Sequence, residues 1–319
     1  MRYLRHFAFT AVAALGIFSM LPGQKAVVKG QGQAETLAWA PVPNTPTGWT
    51  APNKPIWKLK DILADHKGQA SWTQTVVSDN LLHADYISMA AGEKTPRRFH
   101  PDNPEWWIVQ DGQIRFTIEG QEPFVASKGW LVQVPYRNIY SMETVGTTPS
   151  LRLEVNVANA TTLYPIDETP TPIPGMNFIK VNTRNAAKGK YDTVNKPFVD
   201  FNAMVTAGSF QQTRFVVDDR AFANIIRGRQ AERDNPLDNG HMHEVSGEFW
   251  MILEGQIEYK IAGIPTFVAD QGDVVYAPRQ TYHRAHFAGT GPSTRLAMNG
   301  YPDMLHNYQP NADMQAPRP

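Results

Sequence analysis

The sequence predicts an all-β protein, barrel or sandwich in type, that contains one structural unit twice. Short apolar or alternating runs occur at 73–79, 81–91, 105–120, 129–135 and 150–158. A second series occupies 211–217, 221–229, 248–263, 272–278 and 293–300. Turns carrying Gly, Pro, Asn and Asp separate the runs, and nothing long and helical interrupts them. The two series share their spacing: Glu105 and Glu248, Gly112 and Gly255, Gly129 and Gly272, and Pro135 and Pro278 are each 143 residues apart. Four matches at one offset argue duplication. Gln74 and Gln212, at the head of each series, are closer together, which places a small insertion in the loop before His241.

The 319 residues suffice for two domains. At 42% hydrophobic and 19% charged, the composition is that of an ordinary globular protein. Zero formal net charge and a pI near 7.1 argue against nucleic acid or an anionic membrane as partner. Phosphate-cradling glycine loops and nucleophile elbows are absent from the sequence. Without cysteine there are no disulfides, thiolate ligands or thiol nucleophile.

Taken in order, residues 1–34 read as a signal peptide and adjoining polar segment. Arg2, Arg5 and His6 precede an apolar run, Phe7 to Leu21, that is short for a membrane span. Cleavage after Ala34, or near Gly23 or Ala26, would release a periplasmic or secreted protein with no membrane contact. Residues 35–54 form a Pro-, Thr- and Asn-rich extended arm. The first unit spans 55–160 and opens with a short helix behind Pro55, with Ile56, Leu59, Ile62 and Leu63 at helical spacing. A Pro-rich linker covers 161–177, and the second unit spans 178–308. Its opening segment, PFVDFNAMV, repeats the helix behind a proline, with Phe198, Phe201, Met204 and Val205 on one side. Residues 309–319 are a polar tail.

Gly240 to Arg284 concentrates the chemistry. His241 and His243 are one residue apart, so on a strand both rings share a face. Glu248 opens the run Phe249–Leu253, and His283 follows a glycine turn and a Pro-containing loop. Three imidazoles and a carboxylate suit a divalent first-row metal and leave coordination positions open.

These residues resemble the cupin family. Its first motif, G-x5-H-x-H-x4-E-x6-G, is met from His241 onward through His243, Glu248 and Gly255. Its second, G-x5-P-x-G-x2-H-x3-N, is met at Gly272, Pro278 and His283, with Gln280 in place of glycine and Phe287 in place of asparagine. With the duplication, the resemblance implies a bicupin: two fused jelly-roll, or double-stranded β-helix, barrels with a few short helices.

The 143-residue offset carries His243 to His100 and Glu248 to Glu105, but His241 to Arg98 and His283 to Tyr140. A guanidinium cannot ligate and would repel a divalent ion. The first barrel is therefore expected to hold no metal, with Arg98 pairing with Glu105. Packing against the second barrel is its expected role, ahead of holding a ligand near Arg98, Trp107 and Tyr140. In the second barrel, alternation points Trp250 and Ile252 inward from Glu248, and Ala285 and Phe287 inward from His283. Tyr259, Arg295, Arg227 and Arg229 are candidate polar wall residues, read as structural rather than catalytic. His286 is out of phase with His283, and His66, His83 and His306 have no partners in spacing.

The expected cofactor is one divalent transition metal (Fe, Mn, Cu, Zn, Ni or Co), with an exported protein less suited to iron(II). The resemblance implies several reactions at such a site. An oxygenase of the quercetinase-like kind, acting on a small aromatic or enolic substrate, is preferred, with Glu248 taking a proton from a bound hydroxyl. An oxalate-type decarboxylase or lyase, and a non-catalytic metal- or ligand-binding protein, are the alternatives. Monomer and homo-oligomer both remain open.

Overall fold

The computed structural model describes residues 38–45, 47–184, 187–208, 212–230, 240–301 and 305–308. The expected export signal, its expected cleavage sites and the 309–319 tail lie outside the described residues. From Pro41 on, the chain forms one compact unit. Among the described residues, no helix is long and apolar enough to cross a membrane.

Among the described residues there are twenty strands and two one-to-two-turn helices. The first half runs β1 (Ile56–Trp57), α1 (Leu59–Asp65), β2 (Trp72–Ser78), β3 (Leu82–Met89), β4 (Glu105–Asp111), β5 (Gln113–Ile118), β6 (Phe124–Ser127), β7 (Trp130–Val134), β8 (Tyr140–Val145) and β9 (Ser150–Val157). The second runs β10 (Phe198–Asp200), α2 (Phe201–Ala207), β11 (Gln212–Val217), β12 (Phe222–Gly228), β13 (His241–Met242), β14 (Glu248–Glu254), β15 (Gln256–Ile261), β16 (Phe267–Asp270), β17 (Val274–Ala277), β18 (His283–Ala288), β19 (Ser293–Asn299) and β20 (Asn307–Tyr308). One six-stranded sheet has the order β10-β7-β4-β9-β3-β2 and faces the three-stranded β6-β5-β8; the other has the order β1-β17-β14-β19-β12-β11 and faces the five-stranded β16-β15-β18-β13-β20.

Period-two alternation sorts every wall residue between two cores. On β14 and β19, Phe249, Met251, Leu253, Leu296 and Met298 join Trp106, Ile108, Leu153 and Val155 of the first half in one continuous core between the barrels. Their neighbours Trp250, Ile252 and Ala297 line the second barrel with Ile257, Tyr259 and Val275. Trp107, Phe116, Val132 and Tyr140 fill the first barrel in the same manner.

The duplication extends to fine register. A bulge interrupts β2 between Thr75 and Val77, and its counterpart interrupts β11 between Arg214 and Val216, an offset of 139. On β9 and β19 the offset has returned to 143. The four-residue insertion therefore lies between Gly228 and His241.

The leading segments of the halves are exchanged. β1 pairs with β17 of the second half, and β10 pairs with β7 of the first. Each helix follows its strand across. Leu59 N–H at the start of α1 donates to Asp273 Oδ1 (3.0 Å), whereas Asp200 caps α2 from its own chain segment. Gly272 takes φ +87 and lies against Leu59; Gly129, also at φ +87, lies against Asn202. A side chain at either glycine would collide with the incoming helix.

This exchange corrects three expectations. Residues 55–57 and 198–207 complete the sheet of the opposite barrel, so the strand pairing crosses the boundaries drawn at 55 and 178. Ile56 and Phe198 stand on strands, not helices, because each has a free sheet edge to pair with. Leu63 and Phe198 are exposed, leaving Ile62 and Phe201 as the buried anchors of the two helices. The irregular connection is also longer than 161–177: no strand is present among the described residues between Val157 and Phe198.

Phe201 is 4% exposed and sits in the shared core. Replacing it with alanine is expected to cost ~3–5 kcal/mol. Because that core belongs to both barrels, calorimetry should show one transition moved to lower temperature, not one barrel melting ahead of the other.

Candidate metal centre

Short strands bring the four polar residues together. β13 lies between β18 and β20, with His241 opposite both His283 and Tyr308. Close approach here requires Gly240: at φ +77, a Cβ would lie 1.9 Å from the carbonyl oxygen of His283. Gln280, in the usual glycine position, takes φ +58, and its N–H donates to His243 O at 2.7 Å. Arg137 does the same in the first barrel, at φ +63 and 2.7 Å from His100 O. The turn needs a left-handed residue, which explains the family's glycine and shows that this chain bears a modest strain instead.

The donor atoms of His241, His243, Glu248 and His283 lie within 4.8 Å of one another. Glu248 Oε2 is 2.9 Å from His243 Nε2, 3.0 Å from His283 Nε2 and 3.6 Å from His241 Nε2. The far nitrogens identify the tautomers. His243 Nδ1 lies 3.2 Å from Leu305 O, and His283 Nδ1 lies 2.9 Å from Thr281 O. A carbonyl oxygen only accepts, so each Nδ1 carries hydrogen, and Nε2 is the nitrogen each ring turns toward the carboxylate. His241 Nε2 is buried with no hydrogen-bond partner among the described residues. Burial lowers the proton affinity of His241, and the imidazoles around Glu248 hold its carboxyl well below the usual range despite burial that works the other way. Three imidazoles and one carboxylate converging on one point form a group that can hold a metal ion. A divalent transition metal fits this donor set.

The predicted interior is met at every position but two. Trp250 packs its ring 5.2 Å from His283 and 5.1 Å from Tyr259. Ile252, Ala285 and Phe287 line the same barrel. Arg227 instead binds Glu254 through Nε (2.9 Å) and Nη2 (3.2 Å), and Arg229 is exposed. Both belong to the end of the barrel away from Glu248.

Arg295 is a different matter, because its guanidinium sits inside, with Cζ 5.2 Å from the Phe287 ring. Its Nε and Nη1, Tyr259 Oη, Asn299 Nδ2 and Asn224 Oδ1 are all buried without hydrogen-bond partners among the described residues. Burial lowers the pKa of Arg295, a trend that Tyr259 and Glu248 oppose.

His306 corrects the sequence reading, which set it aside. Its ring centroid lies 4.5 Å from His241 and 4.8 Å from His243, on the segment leading into β20. The two-residue β20 has no apolar alternation to announce it; only the proximity of His306 to a second ring at Tyr308 gave a signal. His66 and His83 are ordinary, stacked on Trp72 (4.3 Å) and paired with Asp85 (3.0 Å) respectively.

The first barrel closes the same geometry with protein groups. Arg98 Nε donates to Tyr140 Oη (2.8 Å), and Arg98 Nη2 reaches Glu154 Oε1 (3.1 Å) and Glu105 Oε1 (3.5 Å). Tyr140 donates to Glu105 Oε2, and Asn156 Nδ2 donates to His100 Nε2 (2.9 Å). Arg152 and Trp107 both donate to Glu154 Oε2. Burial alone would raise the pKa of Glu154, but Arg98 and Arg152 outweigh it and hold the group at about 2.

The model of the Cupin domain matches this chain at two places, residues 85–156 and 236–298. The chain is a two-barrel cupin. Similar solved structures include salicylate 1,2-dioxygenase from Pseudaminobacter salicylatoxidans, at 14% identity and TM-score 0.58, with 79% of this bicupin and 87% of that chain covered. A variant of that enzyme in complex with gentisate matches at 12% identity and TM-score 0.58, covering 80% and 85%. A cupin 2 conserved barrel domain protein from Leptotrichia buccalis matches at 12% identity and TM-score 0.50, covering 76% and 94%. At such identities the likeness is one of fold. No curated protein matches the chain in sequence.

Metal analysis of the purified bicupin should find one ion per chain. His243→Ala should reduce it by at least an order of magnitude, and His100→Ala should leave it unchanged. The first barrel makes an acid-side prediction. A carboxyl depressed from 4.5 to about 2 contributes stability present above the higher value and lost as pH falls toward the lower. Glu154→Gln should therefore destabilise the protein at neutral pH by ~3–5 kcal/mol, and denaturant titrations should show a shallower loss of stability between those two pH values than in the parent.

Proposed function

We propose that this bicupin is a metal-dependent oxidoreductase of dioxygenase type, acting on a small aromatic or enolic substrate in its second barrel. The observation that carries the proposal is the convergence of three Nε2 lone pairs and one carboxylate at the end of a barrel lined by Trp250, Ile252, Tyr259 and Phe287. Its fold neighbours include salicylate 1,2-dioxygenases, one of them holding gentisate, and this supports the same class of chemistry here.

His241, His243, Glu248 and His283 would hold the ion, which when bound supplies Lewis acidity and, for a redox-active metal, a path for electrons. The chain's own groups do the rest. The Nδ1–H bonds from His243 to Leu305 O and from His283 to Thr281 O fix both rings in the ligating tautomer. The imidazole contacts of Glu248 fall on Oε2, which leaves Oε1 to accept a proton from a substrate hydroxyl. Trp250 and Phe287 offer flat apolar faces to a planar substrate and keep water from the reacting atoms. Residues 1–34 read as an export signal, so the working compartment would be the periplasm or the exterior; the mass of the protein recovered from its native host would locate the cut.

One observation favours a second reading, an oxalate-type decarboxylase or lyase: a guanidinium, Arg295, stands inside the second barrel. Among the described residues, Arg98 and Tyr140 stand in the first barrel where the second has His241 and His283, which weighs the other way. An oxygen electrode separates the two. Metal-loaded protein given catechol-, salicylate- and flavonol-type compounds should consume oxygen, and His283→Ala should lower the rate at least a hundredfold. Carbon dioxide release from small diacids without oxygen uptake would establish the second reading instead. Binding without either would leave a non-catalytic ligand carrier.

A further inference from the structure

The two barrels share a wall arrangement but differ at a few interior positions. Arg152 of the first barrel corresponds to Arg295, and both side chains enter their barrels from the same register. Arg152 is 2% exposed and donates from Nε and Nη2 to Glu154 Oε2, at 3.1 and 3.0 Å. The position of Glu154 is Ala297 in the second barrel. The cation has been kept and its carboxylate removed. A buried guanidinium without an acid is costly.

Neighbouring positions change in the same sense. Met142 and Val134 line the first barrel; Ala285 and Ala277 stand in their places. With Ala297 these make three smaller side chains on one interior surface, while Phe287 stands in place of the smaller Thr144. Phe116 is replaced by Tyr259, which adds a hydroxyl that finds no partner. Asn156 Nδ2 is satisfied by His100 Nε2, whereas Nδ2 of its counterpart Asn299, paired in register with Glu248, is not. In the second barrel, unpaired polar hydrogens thus stand together around one positive charge.

We infer that the second barrel binds a small organic anion whose carboxylate takes the position held by Glu154 in the first, with Arg295 as counter-ion and Tyr259 as hydrogen-bond donor. This rests on the metal-site reading and narrows it: the substrate is a carboxylate, carried on a planar or small body that fits against Trp250 and Phe287. Arg295 thereby becomes a positioning and selectivity residue. It orients the anion relative to Glu248 and the imidazoles and rejects neutral analogues, which would leave the guanidinium desolvated and unpaired.

The test uses metal-loaded full-length protein and a matched pair of probes, salicylate and its neutral analogue salicylamide. Thermal shift and calorimetry report binding, and metal content is measured on the same samples. Salicylate should bind at least tenfold more tightly than salicylamide. Arg295→Met should abolish that preference, keep the metal and raise the melting temperature without ligand, since an unpaired buried charge is replaced by an apolar chain of similar length. Ala297→Glu should supply the missing acid from within and block salicylate equally. No difference between the probes, including no binding of either, overturns the inference, as does a preference that survives both substitutions. Loss of metal from the parent protein would instead point to failure of the metal-site reading, which the metal assay detects separately.

Discussion

A charge inside a β-barrel must meet an opposite charge there, because water cannot follow it in. Both halves of this protein obey that constraint and satisfy it differently. In the first, Arg98 occupies the vertex where the second has His241, and a closed set of Arg98, Arg152, Glu105, Glu154 and Tyr140 neutralises itself. In the second, the bases and Glu248 present only electron pairs at one end, and Arg295 presents only hydrogens further in. Each lacks what the protein does not supply: a cation for one, an anion for the other. Metal site and anion site are two aspects of one unclosed interior.

Much of this was legible in the sequence, for definite reasons. The 143-residue offset holds wherever strands β4 to β9 and β14 to β19 pair, since a slip of one residue would turn every side chain to the wrong core. His241, His243, Glu248 and His283 sit on or beside that frame, so their spacing in the sequence anticipated the cluster they form. Gln280 and Phe287, which broke the family pattern, are explained by backbone and packing: one tolerates the left-handed turn, and the other fills the barrel beside Gly228 and Arg295. His306 and the exchange of β1 and β10 were not legible. They depend on which sheet edge a two- or three-residue segment meets, and segments so short carry no periodicity to read. Arg295 was visible as a candidate, but its significance lies in Ala297, two positions away on the same strand, and becomes apparent only when Glu154 is seen paired.

The exchange also explains why a barrel without a metal site persists. β17, which leads to the loop before His283, is entered through Gly272 and Asp273, and first-half residues hold both: Tyr86 Oη donates to Gly272 O at 2.5 Å, and the α1 N-terminus is capped by Asp273. Tyr276, further along β17, has its backbone bound on both sides by the arm, its N–H by Pro55 O at 3.2 Å and its carbonyl by Trp49 Nε1 at 3.0 Å. Asn53 of the same arm exchanges two hydrogen bonds with the Ser78 backbone, tying that brace to β2. Arg98 and Tyr140 close the interior of the first barrel, and a change that unfolded it would release β17 and, with it, the segment that carries His283. The first barrel keeps its fold because the second barrel's site is built against it.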